Sequence, residues 1–220
     1  MSAASFSGIP IEAFDFYARL ETNNTKSWWQ EHKGEYEQLV RDPLRALLTS
    51  LEGEFGSWSM FRPYRDTRFS KDKTPLKTHQ GGTVTIEDSV GYYVQVSAAG
   101  LMVAGGWYAP QGRQTERYRH AVDGPRGAEL ERMLAKLRRS WEVEGDPLKT
   151  RPRGYDTDHP RIELLRFRQL TVARHYDVEP WMATAKLLTK VRSDWRTITP
   201  LLDWLADHVG PAGEPDLGRD

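Results

Sequence analysis

The 220-residue chain has no cysteine, which excludes disulfides, thiolate nucleophiles and Cys-ligated zinc or iron–sulfur centres together. Nor has it an excess of either charge, because 31 Lys and Arg balance 31 Asp and Glu. A molecule without a long-range field is not drawn as a whole to DNA, RNA or an anionic membrane, so nucleic acid is not a favoured partner and any anion site must be local. No apolar run reaches the length of a membrane span. Residues 1–8 lack the basic start and apolar stretch of a secretory signal, so no membrane association is expected and the cytosol is the expected compartment. Also missing are a Walker loop, a Gly-x-Gly-x-x-Gly fingerprint, a Gly-x-Ser-x-Gly elbow and a His-Glu-x-x-His pair, which argues against the commonest NTPase, oxidoreductase, hydrolase and metalloprotease classes. The six histidines are scattered, none at the close helical spacing that builds a zinc site, and no metal or cofactor is expected.

What the sequence does have is aromatic bulk, with eight Trp and nine Tyr, enough to build a sizeable core without cross-links. Pro10 is placed to open a first helix, in which Ile11, Phe14, Tyr17 and Leu20 recur at helical spacing. Asn23 and Asn24 interrupt it and can cap a second helix carrying Trp29, His32, Tyr36, Leu39 and Val40. Pro43 restarts the chain into a third, with Leu44, Leu47, Leu48, Leu51 and Phe55 on one face and Gly56 as its stop. The period then changes: Val84 and Ile86, and next Tyr92, Val94 and Val96, alternate as strands do. A turn at Ala98-Ala99-Gly100 leads into a further strand at 101–108. Helical spacing returns at Leu130, Met133, Leu134, Leu137 and Trp141, residues 170–175 can add a strand, and a last helix carries Leu188, Val191, Trp195, Ile198, Leu202 and Leu205, with Pro200 expected to kink or split it. Helices, then strands, then helices predict an α+β fold, an antiparallel β-meander packed with N-terminal and C-terminal helices. The expected extent is one domain over residues 9–208, with flexible tails at 1–8 and 209–220.

The most unusual segment runs from Arg62 to His79 (RPYRDTRFSKDKTPLKTH) and sets three Arg and three Lys against two Asp. Guanidinium forks, ammonium groups and interleaved hydroxyls are what a phosphate or carboxylate needs, which makes Arg65, Arg68, Lys71, Lys73 and Lys77 candidate anion ligands. In an extended segment Arg65 and Arg68 would point to opposite faces, whereas a turn at Asp66-Thr67 would let both forks meet one ligand. The competing reading is structural: Asp66 and Asp72 pair with neighbouring cations, and the loop packs through Tyr64 and Phe69. Arg117, in a helix predicted after the strands, is a candidate supporting cation.

Two further segments carry chemistry. Asn23-Asn24-Thr25-Lys26-Ser27-Trp28-Trp29 places amides at a helix start, where capping is the simplest role and ligand contact the alternative. Pro152-Arg153-Gly154-Tyr155-Asp156-Thr157-Asp158-His159-Pro160 offers His159 or Asp158 as weak catalytic candidates, with Tyr155 in support, since imidazole titrates near neutrality. Asp156, Asp158 and His159 also carry donors for a divalent cation, but no fourth ligand is assignable, and Asp158 before His159-Pro160 reads equally as a helix cap.

On these three segments the chain resembles the bacterial family known as Domain of Unknown Function 2461 (DUF2461). Trp29 stands where relatives usually carry Phe, and Leu76 where they usually carry Tyr. The resemblance implies a compact mixed fold and no established activity, substrate or cofactor. The reading for function is binding of, or action on, a phosphorylated or other anionic small molecule through the basic segment. The alternative is a non-enzymatic module docking an acidic partner or a nucleic-acid backbone. Nothing in the sequence names a reaction.

Overall fold

The computed structural model describes residues 6–68 and 71–213. Six strands, β1 (Trp58–Met60), β2 (His79–Glu87), β3 (Val90–Ser97), β4 (Gly100–Trp107), β5 (Glu142–Glu144) and β6 (Leu170–Tyr176), form an antiparallel sheet in the order β1-β2-β3-β4-β6-β5. With the helices this is the α+β fold that the periodicities predict. β2, β3 and β4 are the expected meander, joined by two-residue turns at 88–89 and 98–99. The three-residue strands β1 and β5 are too short to show alternation. The chain forms two compact units, one of Met1–Val84, Tyr93–Val103 and His175–Asp194, the other of Thr85–Tyr92, Ala104–Arg174 and Trp195–Asp220.

In the first unit α1 (Glu12–Thr22) buries Phe14, Phe16, Tyr17 and Leu20, the stripe its spacing demands. α2 (Lys26–Tyr36) is capped by Thr25, whose hydroxyl accepts the Trp28 N–H at 3.2 Å. The asparagines before it act otherwise: the Asn23 amide donates to the Arg19 carbonyl at 2.9 Å and closes α1. Phe16 gathers Trp28, Trp29 and Tyr36 at centroid distances of 5.4, 6.3 and 6.1 Å, so the two helices share one aromatic cluster. No break occurs at Pro43. α2 continues through a π-helical turn, Glu37–Arg41, into α3 (Asp42–Phe55). Pro43 has no N–H to give and its ring would crowd the carbonyl four residues earlier, and the wider π turn is a local way to make room.

The second unit holds α4 (Gln114–Asp123), α5 (Gly127–Leu137) and the short α6 (Ile162–Leu165). Its helix ends are closed by arginines. Arg161 donates to the carbonyls of Val122, Asp123 and Gly124 at 2.7, 3.0 and 3.0 Å, at the end of α4, and Arg119 donates to Leu165 at 3.1 Å, at the end of α6. A guanidinium there satisfies orphan carbonyls and faces the negative end of the helix dipole. The last helix, α7 (Lys186–Val209), runs through Pro200 without splitting. Trp195, Ile198, Leu202 and Leu205 are buried as predicted, but further up the helix the buried residue is Leu187, and Leu188 is half-buried.

Residues inside both expected tails are tied down. Phe6 is buried and the Ile9 N–H donates to the Met182 carbonyl at 2.8 Å. At the other end Arg117 donates to the carbonyls of Val209 and Pro211, Gln114 to that of Gly210 at 2.8 Å, and the Ala212 N–H to Asp88 at 3.0 Å. Residues 1–5 and 214–220 lie outside the described residues. No helix among the described residues is long and apolar enough to cross a membrane.

Two glycines test this packing in opposite directions. Gly100 has φ +119°, and a Cβ there would lie 2.1 Å from the Tyr176 carbonyl oxygen, so Gly100→Ala should destabilise by roughly 3 kcal/mol. Gly53 lies inside α3 with open space around its Cα, and Gly53→Ala should stabilise by about 0.5–1 kcal/mol through helix propensity. Urea denaturation of the two variants checks both signs.

Candidate functional site

The basic segment, apart from residues 69–70, which lie outside the described residues, forms two antiparallel arms of a hairpin that prolong the β1–β2 pairing. β1 pairs with β2 at Trp58↔Val84 through Met60↔Gly82, and the Phe61 N–H donates to Gly81 at 3.1 Å. Pairing resumes at Tyr64↔Leu76, flanked by bonds from Arg65 N–H to Pro75 at 2.9 Å and from Lys77 N–H to Pro63 at 2.8 Å. Between these points residues 62–63 face residues 77–80, so the second arm bulges. The Gln80 side chain bridges the gap, donating to the carbonyls of Phe61 and Gly81 at 2.7 and 3.0 Å and accepting the Tyr36 hydroxyl at 2.7 Å. Burial pushes that hydroxyl up to about 12, so it stays a donor.

Asn24 holds the hairpin to the helices. Its amide donates to the Leu76 carbonyl at 3.0 Å and its oxygen accepts the Leu76 N–H at 3.1 Å, as a neighbouring strand would. Leu76 itself is buried. Trp29 adds a second tie, donating from its indole N–H to the Tyr64 hydroxyl at 3.3 Å, a bond that the usual Phe could not make.

The two aspartates engage the arginine forks. Asp66 accepts the backbone N–H of Arg68 at 3.1 Å, which makes the turn, and also its guanidinium at 2.6 Å. This pairing holds the Asp66 carboxyl below its usual range. Asp72 pairs with Arg65 and accepts the Thr74 N–H and hydroxyl at 2.9 and 2.8 Å. Lys73 donates to the Thr67 carbonyl at 2.8 Å and staples the tip, and Lys71 is exposed. The turn at Asp66 brings Arg65 and Arg68 to one open concavity of about 610 Å³, lined also by Phe61, Arg62, Tyr64, Asp66, Thr67 and Lys77. It sets four cations against one carboxylate. Of the candidate ligands, Arg65, Arg68 and Lys77 are brought together there; Lys71 and Lys73 are not. Phe61 and Arg62, the latter the first residue of the basic segment, line the concavity as well and were not among the candidate ligands. Arg62 forms no ion pair among the described residues, and Lys77 lies over the Phe61 ring at 5.1 Å.

Asp158, His159, Tyr155 and Arg117 belong to the second unit. Both nitrogens of His159 are engaged: Nδ1 accepts the Arg161 N–H at 3.0 Å, which assigns the ring proton to Nε2, 3.1 Å from Asp123. Its carbonyl accepts the Ile162 N–H at 3.0 Å, which closes a turn leading into α6. Asp158 is exposed, and Arg117 is committed to the α7 terminus. Tyr155 lines an open concavity of about 750 Å³ with Arg113, Arg117, Arg126 and His120, but Arg113 and Arg126 there pair with Glu116 and Glu129. Among the described residues no three His, Asp or Glu side chains group to hold a metal ion.

These features define a cysteine-free α+β protein that carries an aspartate-braced basic hairpin. The family model described as "Conserved hypothetical protein (DUF2461)" matches residues 12–204, and the chain belongs to that family. No curated protein and no solved structure matches it.

His79, at the base of the hairpin, reports the local field. Burial holds its imidazole below the ordinary value of 6.5, and the charges of Lys77 and Arg65 add to this. A depressed folded-state value means that the stabilisation is complete above about pH 6.5 and is lost as pH falls through the folded value. Thermal melts from pH 7.5 downwards should therefore show an acid-side loss of Tm that His79→Gln reduces.

Proposed function

We propose that the hairpin concavity binds a phosphorylated or otherwise anionic small molecule. The observation that carries this reading is the set of cations in one concavity, of which Arg62 and Lys77 have no carboxylate partner among the described residues. Asp66 and Asp72 support it in a second way. They hold the Arg68 and Arg65 forks in place while leaving them exposed to 77% and 29%, and exposed ion pairs of this kind are weak enough for a dianion to compete with. Such a site orders its donors before the ligand arrives, which lowers the entropy cost of binding. The zero net charge of the chain favours a small ligand over a polyanion, which would need a longer basic track.

Inorganic phosphate and sulfate, added at low and high salt during thermal melts, test the proposal. Ligand at ten times Kd stabilises by about 1.4 kcal/mol, a rise in Tm of roughly 3–6 °C for a chain of this size. Arg62→Ala and Lys77→Gln should each weaken binding on the order of tenfold. Asp72→Asn keeps the acceptor for Thr74, frees the Arg65 fork and should strengthen it. An unshifted Tm with both anions, or equal shifts in all three variants and the wild type, would overturn the anion site and leave the hairpin as scaffold.

A further inference from the structure

We infer that the ligand of this concavity is a mononucleotide, with its base stacked on Tyr64 and its phosphate among Arg62, Arg65 and Lys77. The inference rests on the anion-binding reading and adds the substrate class to it. Five large hydrophobic or aromatic side chains stand out as exposed among the described residues, and two of them, Phe61 at 42% and Tyr64 at 54%, line this one concavity.

Neither ring is loosely held. Tyr64 is fixed through its backbone by the pairing with Leu76 and through its hydroxyl by Trp29, whose indole meets it at 70° and 6.1 Å. Phe61 is fixed by the backbone bonds to Gly81 and Gln80, by Lys77 over its ring, and by Tyr93 at 6.1 Å. Both rings are thus held open to solvent by bonds made elsewhere. Inorganic phosphate or a sugar phosphate would leave them unused. A nucleobase would use them, because a planar π face is what an exposed tyrosine ring stacks against, and the neighbouring cations then meet the phosphate. The volume of about 610 Å³ lies in the range of small-molecule sites.

Two of the contributions are separable. The phosphate depends on Arg62 and Lys77, the base on Tyr64. Titration calorimetry at constant low salt with AMP, adenosine, ribose 5-phosphate, inorganic phosphate and a ten-residue oligothymidylate reads them apart. AMP should bind about 10-fold or more tighter than ribose 5-phosphate, the margin that one stacked base supplies. Tyr64→Ala should erase this margin between AMP and ribose 5-phosphate while inorganic phosphate still binds, and Tyr64→Phe should restore it. Tyr64 is largely exposed, and a Tm within a few degrees of wild type confirms that each variant folds. Equal affinities for AMP and ribose 5-phosphate overturn the nucleotide inference and leave the anion site standing. Adenosine binding as tightly as AMP, or no binding by any phosphate, overturns the anion reading itself. An oligothymidylate that binds more tightly per nucleotide than AMP replaces the mononucleotide with single-stranded nucleic acid.

Discussion

The side-chain amide of Asn24 meets both backbone polar groups of Leu76, and the placement of the hairpin depends on this pair of bonds. The two residues are 52 apart in sequence. Because Tyr64 and Leu76 form a pair whose flanking residues exchange the hydrogen bonds between the arms, Leu76 turns its own N–H and carbonyl outward. Left there without partners in a part-buried position, they would cost about 1–3 kcal/mol each. Asn24 removes that cost, and its position is fixed because Asn23 ends α1 and Thr25 starts α2 on either side of it. Two helix termini thereby set the orientation of the basic tip.

Arginine serves two different ends in this chain. In the second unit Arg117, Arg119 and Arg161 lie on carbonyl oxygens at helix C-termini, where a delocalised, always charged fork suits several acceptors at once. In the first, Arg65 and Arg68 lie on carboxylates. A balance of total charge hides this division. Only the partner, carbonyl or carboxylate, separates an arginine that completes a helix from one that faces solvent with its charge half satisfied.

How much could be read in advance follows from the range of each interaction. Alternation at Val84, Ile86, Tyr92, Val94 and Val96 and the spacing at Trp195, Ile198 and Leu202 are local signals, and they gave the meander and the last helix. The π turn before Pro43 was not legible, since proline signals an interruption without saying whether the helix stops or widens. Arg65, Arg68 and Lys77 could be found because they crowd one run. Arg62 opens the same run, but its place at the concavity, like that of Phe61, depends on a bulge at 77–80 and on the buried Gln80 that fills it. The Trp29–Tyr64 bond, across 35 residues, leaves no periodic trace. His159 shows the same limit: an imidazole that bonds a nearby backbone N–H has the same local sequence as one that serves a substrate.

The sheet ends on borders of only three residues, β1 on one side and β5 on the other. Sheet borders are where separate chains can zip together into aggregates, and short, charged or proline-bearing borders resist it. β5 is Glu-Val-Glu. β1 passes into hairpin arms that carry Pro63 and Pro75 among Arg62, Arg65 and Lys77, so beyond Met60 an incoming strand would meet missing N–H groups and concentrated positive charge. The side chains that line the concavity thus also make the hairpin a poor template for another polypeptide.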